Sequence, residues 1–80
     1  MKPELLLYSR RDCCLCTEMK RVIQLVAERI PLTIVEVDVD GSADLAREYG
    51  NDVPVLFVNG RKAFKHRASE KELAKRLRRG

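Results

Sequence analysis

The sequence predicts an α/β fold with the element order β-α-β-α-β-β-α, parallel in its first half and antiparallel in its second. Three observations predict it. The apolar run Leu5-Leu6-Leu7-Tyr8 is followed by apolar residues at helical spacing from Leu15 to Ile30, which makes a strand-helix unit. A β-branched run, Thr33-Ile34-Val35-Glu36-Val37, comes after that helix, and strands separated by a helical crossover pair in parallel. Asn59-Gly60 then joins two more strand-like runs, supplying the positive φ angles that a two-residue hairpin needs.

Each element has its own justification. Glu4 to Tyr8 is too short for a helix and is bounded by Pro3 and by the polar Ser9-Arg10-Arg11-Asp12, so it reads as a buried strand. Leu15, Met19, Val22, Ile23, Val26 and Ile30 form one helical stripe, ended by Pro31. Thr33 to Val39 is the second strand, broken by Asp40-Gly41-Ser42. A short helix from Ser42 to Tyr49, with Leu45, Ala46 and Tyr49 on one side, ends at Gly50, where a left-handed C-terminal residue is expected. Val53 to Val58 is the third strand and Arg61 to Lys65 the fourth. Ser69-Glu70-Lys71-Glu72 is a capping box, and Leu73, Ala74 and Leu77 give the last helix its buried stripe.

The 80 residues amount to one domain, spanning 1–80. At 45% hydrophobic and 35% charged residues, the chain is neither a disordered nor a membrane sequence. No apolar run approaches the roughly 20 residues that span a bilayer, and Met1-Lys2-Pro3-Glu4 lacks signal-peptide architecture, so a cytoplasmic location is expected. The net charge of +4 is uneven: residues 61–80 carry nine Lys or Arg against Glu70 and Glu72, whereas residues 1–60 are acidic on balance. This basic quarter is either a solvated helix, with cations suited to its C-terminal end, or a surface for an acidic partner. It lacks the interleaved aromatics of a base-stacking surface, so nucleic acid is not the expected partner.

Cys13-Cys14-Leu15-Cys16 lies where the first strand gives way to the first helix. Three cysteines within four residues cannot staple distant segments, which points to reactive or metal-binding thiols. Unpaired N–H groups and the macrodipole at a helix start favour a thiolate at Cys13, and Cys16 lies nearly one turn on, close enough to form a disulfide. Thiol–disulfide exchange needs an attacking thiolate and a second thiol that resolves the mixed disulfide. Cys13 is the expected nucleophile and Cys16 the resolving thiol. Cys14 is either a small semi-buried residue or a third thiol that reshuffles the disulfide or contributes to a metal site. No second ligand pair accompanies these sulfurs and His66 is the sole histidine, so no metal site is expected; His66 reads as an exposed hairpin residue.

Together with Val53-Pro54 at the third strand, these features resemble the thioredoxin superfamily and, within it, the glutaredoxins. The closest similarity is to small glutaredoxin-like proteins with a Cys-x-Leu-Cys motif after a Leu-Tyr-Ser/Thr-Arg strand end, matched by Leu7-Tyr8-Ser9-Arg10 and Cys13-Cys14-Leu15-Cys16. The resemblance implies a thioredoxin-like (glutaredoxin) fold with a central four-stranded mixed sheet flanked by helices. It implies substrate-binding roles for Arg10, placed where glutaredoxins have a lysine, and for Val53 and Pro54, whose cis bond would turn the Val53 backbone toward an extended substrate. Glutaredoxins with Cys-Pro-Tyr-Cys hold glutathione partly through a Gly-Gly followed by Asp after the hairpin. Here that stretch reads Phe64-Lys65-His66-Arg67-Ala68-Ser69, so that site does not carry over whole.

The expected function is a thiol–disulfide oxidoreductase of glutaredoxin-like type, with no cofactor beyond a thiol reductant, glutathione being one candidate. Its expected partners are a disulfide-containing protein or a small-molecule disulfide, with no membrane involvement, and its expected state is a monomer. Two readings from other classes stand beside it. One is a metal or iron–sulfur cluster module built from the exposed cysteines across a dimer. The other is a redox-inert thioredoxin-fold interaction module acting through the basic C-terminal helix.

Overall fold

The most apolar segment of the chain becomes the spine of a four-stranded mixed sheet. In the computed structural model, which describes residues 2–79, β1 (Glu4–Ser9) pairs in parallel with β2 (Thr33–Asp38) and antiparallel with β3 (Val55–Val58). β4 (Arg61–Lys65) pairs antiparallel with β3 at the far edge, giving the order β2-β1-β3-β4. Side chains alternate across a strand, so Leu5, Leu7 and Ser9 are buried on one face while Leu6 and Tyr8 turn to the other.

The buried face is covered by α1 (Cys14–Ala27) and α3 (Glu70–Arg78). Met19, Ile23 and Val26 of α1 and Leu73 and Leu77 of α3 join Leu5, Leu7, Leu56 and Val58 in one core. Burying each such Leu or Ile side chain stabilises the fold by roughly 1.5–3 kcal/mol. The opposite face carries the shorter α2 (Ala43–Tyr49), none of whose residues is fully buried. There Tyr49 stacks on Tyr8 with ring centroids 4.4 Å apart, and Phe57 stands edge-on to both. No helix of the described residues is long and apolar enough to cross a membrane.

Several local expectations hold. Asn59 and Gly60 take φ angles of 51° and 83°, the left-handed pair of a tight hairpin turn. Asn59 also ties that turn to β1: its N–H donates to the Glu4 carbonyl at 2.8 Å and its side-chain oxygen accepts the Glu4 N–H at 2.9 Å. The capping box is complete, with the Ser69 hydroxyl accepting the Glu72 N–H at 3.0 Å and the Glu72 carboxylate accepting the Ser69 N–H at 2.9 Å.

Other boundaries differ from the sequence reading. The second strand stops at Asp38, whose carboxylate accepts the Asp40 N–H at 2.9 Å and turns Val39–Gly41 into a single 3-10 turn; Val39 itself is buried. The third strand starts at Val55 rather than Val53, because Pro54 has no N–H to give the ladder, and its carbonyl instead accepts the His66 N–H at 2.8 Å. α1 closes at Ala27, a turn before Pro31, with the Arg29 and Ile30 N–H groups both donating to the Val26 carbonyl.

Gly50 is a clearer correction. Its φ is −54°, in the right-handed region, so left-handed freedom is not what the position requires. What it requires is space. A Cβ there would run into the Ala46 carbonyl oxygen and come within 2.8 Å of a nitrogen of the Arg10 guanidinium.

Candidate functional site

The turn between β1 and α1 aims the cysteine motif. Asp12 takes a φ of 54°, a left-handed conformation that Asp tolerates better than most residues. Cys13, returning to extended backbone at φ −111° and ψ 109°, becomes the N-cap of α1. Its carbonyl accepts the Thr17 N–H at 3.1 Å and its sulfur accepts the Cys16 N–H at 3.2 Å. The sulfur thus occupies the place that a serine or aspartate oxygen takes in an ordinary N-cap.

The three thiols have three environments. Cys14 is exposed, Cys13 is half-buried, and Cys16 is only 1% exposed. Burial pushes the Cys16 thiol up to about 11, helped by its hydrogen bond with Cys13; the Arg10 backbone N–H and the charge of Lys20 act the other way. Among the described residues, no group of three or more His, Cys, Asp or Glu side chains is arranged to hold a metal ion.

Arg10 is engaged away from the motif. Its Nε and Nη2 donate to the two Asp40 carboxylate oxygens at 3.0 Å each, and its Nη1 donates to the Gly50 carbonyl at 3.0 Å. Hydrogen bonding to Asp40 raises its already high affinity for a proton. Arg10 therefore ties the Cys13 turn to the 3-10 turn and the end of α2, and the bare backbone of Gly50 is what lets the guanidinium in. Arg10 and Cys13 still lie close enough to interact electrostatically.

Val53 and Pro54 come to the same end of the sheet. Val55 pairs with Tyr8, so the residues before Val55 lie beside the point where β1 leaves for Cys13. The Val53-Pro54 bond is cis and Pro54 is buried, and no backbone hydrogen bond among the described residues engages Val53. His66 approaches from β4 with a φ of 70°; its side chain is exposed while its N–H is held by Pro54. Lys65 reaches Asp52 at 3.9 Å on the same side.

One cluster escaped the sequence reading. Ser9, the one buried polar residue among the described residues, donates its hydroxyl to Glu36 Oε2 at 2.7 Å, and Lys20 Nζ lies 3.2 Å from the same oxygen. The Ser9 hydrogen bond, followed by Lys20, holds the Glu36 carboxyl below the usual carboxylate range. Lys20 stands four residues after Cys16, on the same side of α1.

Comparison with known proteins agrees with this geometry. The Glutaredoxin-like domain (DUF836) family matches residues 4–78. The Dictyostelium discoideum "Glutaredoxin-like protein YDR286C homolog" is 35% identical over 72 residues, covering 82% of this chain and 67% of that protein. The X-ray structure of protein XcR50 from X. campestris superposes with a TM-score of 0.82 at 28% identity, covering 95% of this chain and 97% of that one. Mitochondrial thioredoxin 3 from Saccharomyces cerevisiae, in its oxidised form, shares the fold at a TM-score of 0.73 and 20% identity, over 99% of this chain and 79% of that one. A glutaredoxin-like thioredoxin fold with two close thiols supports a redox-type role. With its strand order, its cysteine-capped first helix and its family match over nearly the whole length, the chain belongs to the glutaredoxin-like proteins of the thioredoxin superfamily.

Proposed function

We propose that this protein is a thiol–disulfide oxidoreductase that works through Cys13 and Cys16. The carrying observation is the hydrogen bond from the Cys16 N–H to the Cys13 sulfur at 3.2 Å, with Cys16 buried beneath it. A sulfur that accepts a backbone N–H at a helix start and is still partly exposed is suited to attack; one buried behind it is suited to wait.

The reaction proceeds in two exchanges. The Cys13 thiolate attacks one sulfur of the substrate disulfide, a new S–S bond forms as the old one breaks, and the departing thiolate takes a proton from solvent. Cys16 then loses its proton and attacks the Cys13 sulfur, releasing the second substrate thiol and leaving a Cys13–Cys16 disulfide. The substrate has gained two electrons, and a thiol reductant returns two to the protein. Glutathione is one candidate for that reductant, and a reducing cytosol is the expected compartment.

Val53 supports the substrate side. Its free backbone groups at the Cys13 end of the sheet suit an extended disulfide-bearing segment, added like a further strand beside buried Pro54. Arg10 serves by bracing the turn that carries Cys13, and a direct contact with substrate requires it to leave Asp40.

The test is to react the reduced protein with glutathione disulfide across pH and locate the adduct by mass spectrometry. Glutathione on Cys13, with the Cys13–Cys16 disulfide accumulating afterwards, is the expected result. An adduct confined to Cys14, with no disulfide between Cys13 and Cys16, would remove the proposal.

A further inference from the structure

The charge asymmetry of the sequence has a location in the fold. Where the end of α1 meets α3, Arg29, Lys71 and Arg78 rim a hollow of about 320 Å³ whose floor is Val26, Ile30 and Ala74. Glu70 is the only carboxylate among the residues that line it. None of these three cations takes part in an ion pair among the described residues, whereas Arg10, Lys20, Arg47 and Lys65 each do. The rim is thus three cations outside any ion pair against one carboxylate, around an apolar floor.

We propose that this hollow docks an acidic protein segment that carries an apolar side chain, and that the segment belongs to the disulfide-bearing partner. Carboxylates meet the rim and the apolar side chain fills the floor. Two other classes of anionic partner fit less well. A nucleic acid strand gains from stacking its bases, but Tyr8, Tyr49 and Phe57 pack on one another across the sheet and Phe64 packs against the core. A membrane surface needs an apolar helix face to insert, and that of α3, Leu73 and Leu77, is already spent on the core.

This inference rests on the oxidoreductase reading and narrows it. The 14 residues of α1 rise about 20 Å, so the hollow and Cys13 lie near opposite ends of one helix. An extended chain covers that span with about six residues. The favoured substrate is then a protein disulfide with an acidic segment some distance along its chain, and a small-molecule disulfide gains nothing from the hollow.

The probe is a fluorescein-labelled peptide of glutamates around a single leucine, titrated with the full chain by fluorescence anisotropy. Binding that weakens with salt is expected, with a loss of about tenfold or more in a triple variant Arg29→Gln, Lys71→Gln, Arg78→Gln. Glu70→Gln should tighten it. Ala74→Glu, which puts a carboxylate into the hollow without touching the rim, should weaken it as the triple variant does. Equal affinity in the parent and the triple variant overturns the proposal, as does tighter binding of an oligothymidylate or a phosphatidylserine vesicle than of the peptide. The same titration on a Cys13→Ser variant involves no thiol chemistry, so loss of the reductase reading and loss of the docking site give separate results. Turnover of a small-molecule disulfide should be the same in the parent and the triple variant.

Discussion

Arg10 donates a hydrogen bond to the carbonyl of Gly50 across forty residues of sequence, at 3.0 Å, and the same guanidinium grips Asp40 through two more. The turn that presents Cys13 is therefore held from the far side of the sheet end, and a glycine is the residue that permits it. Gly50→Ala separates two opposing effects. At a φ of −54° an alanine fits the backbone and would by itself stabilise by about 0.4–1 kcal/mol. The collision of its Cβ with the Ala46 carbonyl and the Arg10 guanidinium works against this, and because the first is backbone the collision should win. The expected net loss is about 1–3 kcal/mol in urea unfolding. A gain in stability would show that this packing does not constrain the turn.

Lys20 is predicted to assist the step in which Cys16 resolves. Its charge is one of the influences that draw the buried thiol down toward ionisation. Lys20→Met should leave the first attack by Cys13 nearly unchanged and slow resolution by no more than about fivefold, the weight of a partly exposed charge pair at about 0–1 kcal/mol. Stopped-flow release of the second substrate thiol follows the step directly, and an unchanged rate with a protein disulfide would exclude Lys20 from it.

The buried Cys16 thiol also predicts a pH dependence of stability. Burial raises it from 9.0 to about 11, so the folded protein keeps a proton that the unfolded chain gives up first. The stabilisation is present below about pH 9 and is lost as pH rises toward about 11. In the reduced protein, part of the fall in unfolding free energy over that window should vanish in Cys16→Ala. An identical alkaline profile in parent and variant would contradict it.

His66 combines a conformational and a chemical expectation. At a φ of 70° a non-glycine residue is disfavoured by about 1–2 kcal/mol, against about 0.5–1 kcal/mol for the greater entropy that glycine loses on folding. His66→Gly should therefore be neutral or stabilising by up to about 1 kcal/mol, and His66→Val destabilising. If, as the resemblance implies, Lys65, His66 and Arg67 stand where classical glutaredoxins carry Gly-Gly, turnover with glutathione disulfide should be slow and salt-sensitive, and His66→Gly should lower the KM for glutathione. A KM equal to that of a Gly-Gly glutaredoxin assayed alongside, and indifferent to salt, would contradict this account.

The sequence carried what depends on neighbouring residues. Asn59-Gly60, the Ser69 capping box and the helix start at the cysteines could be read because each is a bond between groups at most four positions apart. The partners of Arg10, Asp40 and Gly50, are not legible in the same way, because they stand thirty and forty positions away and arrive only through the tertiary fold. A glycine after a helix reads most readily as a left-handed cap, whereas Gly50 is required by the space between the Ala46 carbonyl and the Arg10 guanidinium, the second of which comes from another element. The Ser9, Glu36 and Lys20 cluster needs the β1–β2 register, which places Leu7 beside Glu36 and Ser9 beside Asp38, and no periodicity reveals a register between strands joined by a helix.

The division of labour between Cys13 and Cys16 is tested most directly in a Cys16→Ser variant mixed with a disulfide-bonded protein. With the resolving thiol gone, a covalent complex joined through Cys13 should accumulate, and peptide mapping by mass spectrometry should find the substrate cysteine on that residue. A complex joined through Cys14, or release of reduced product at the parent rate, would contradict the account.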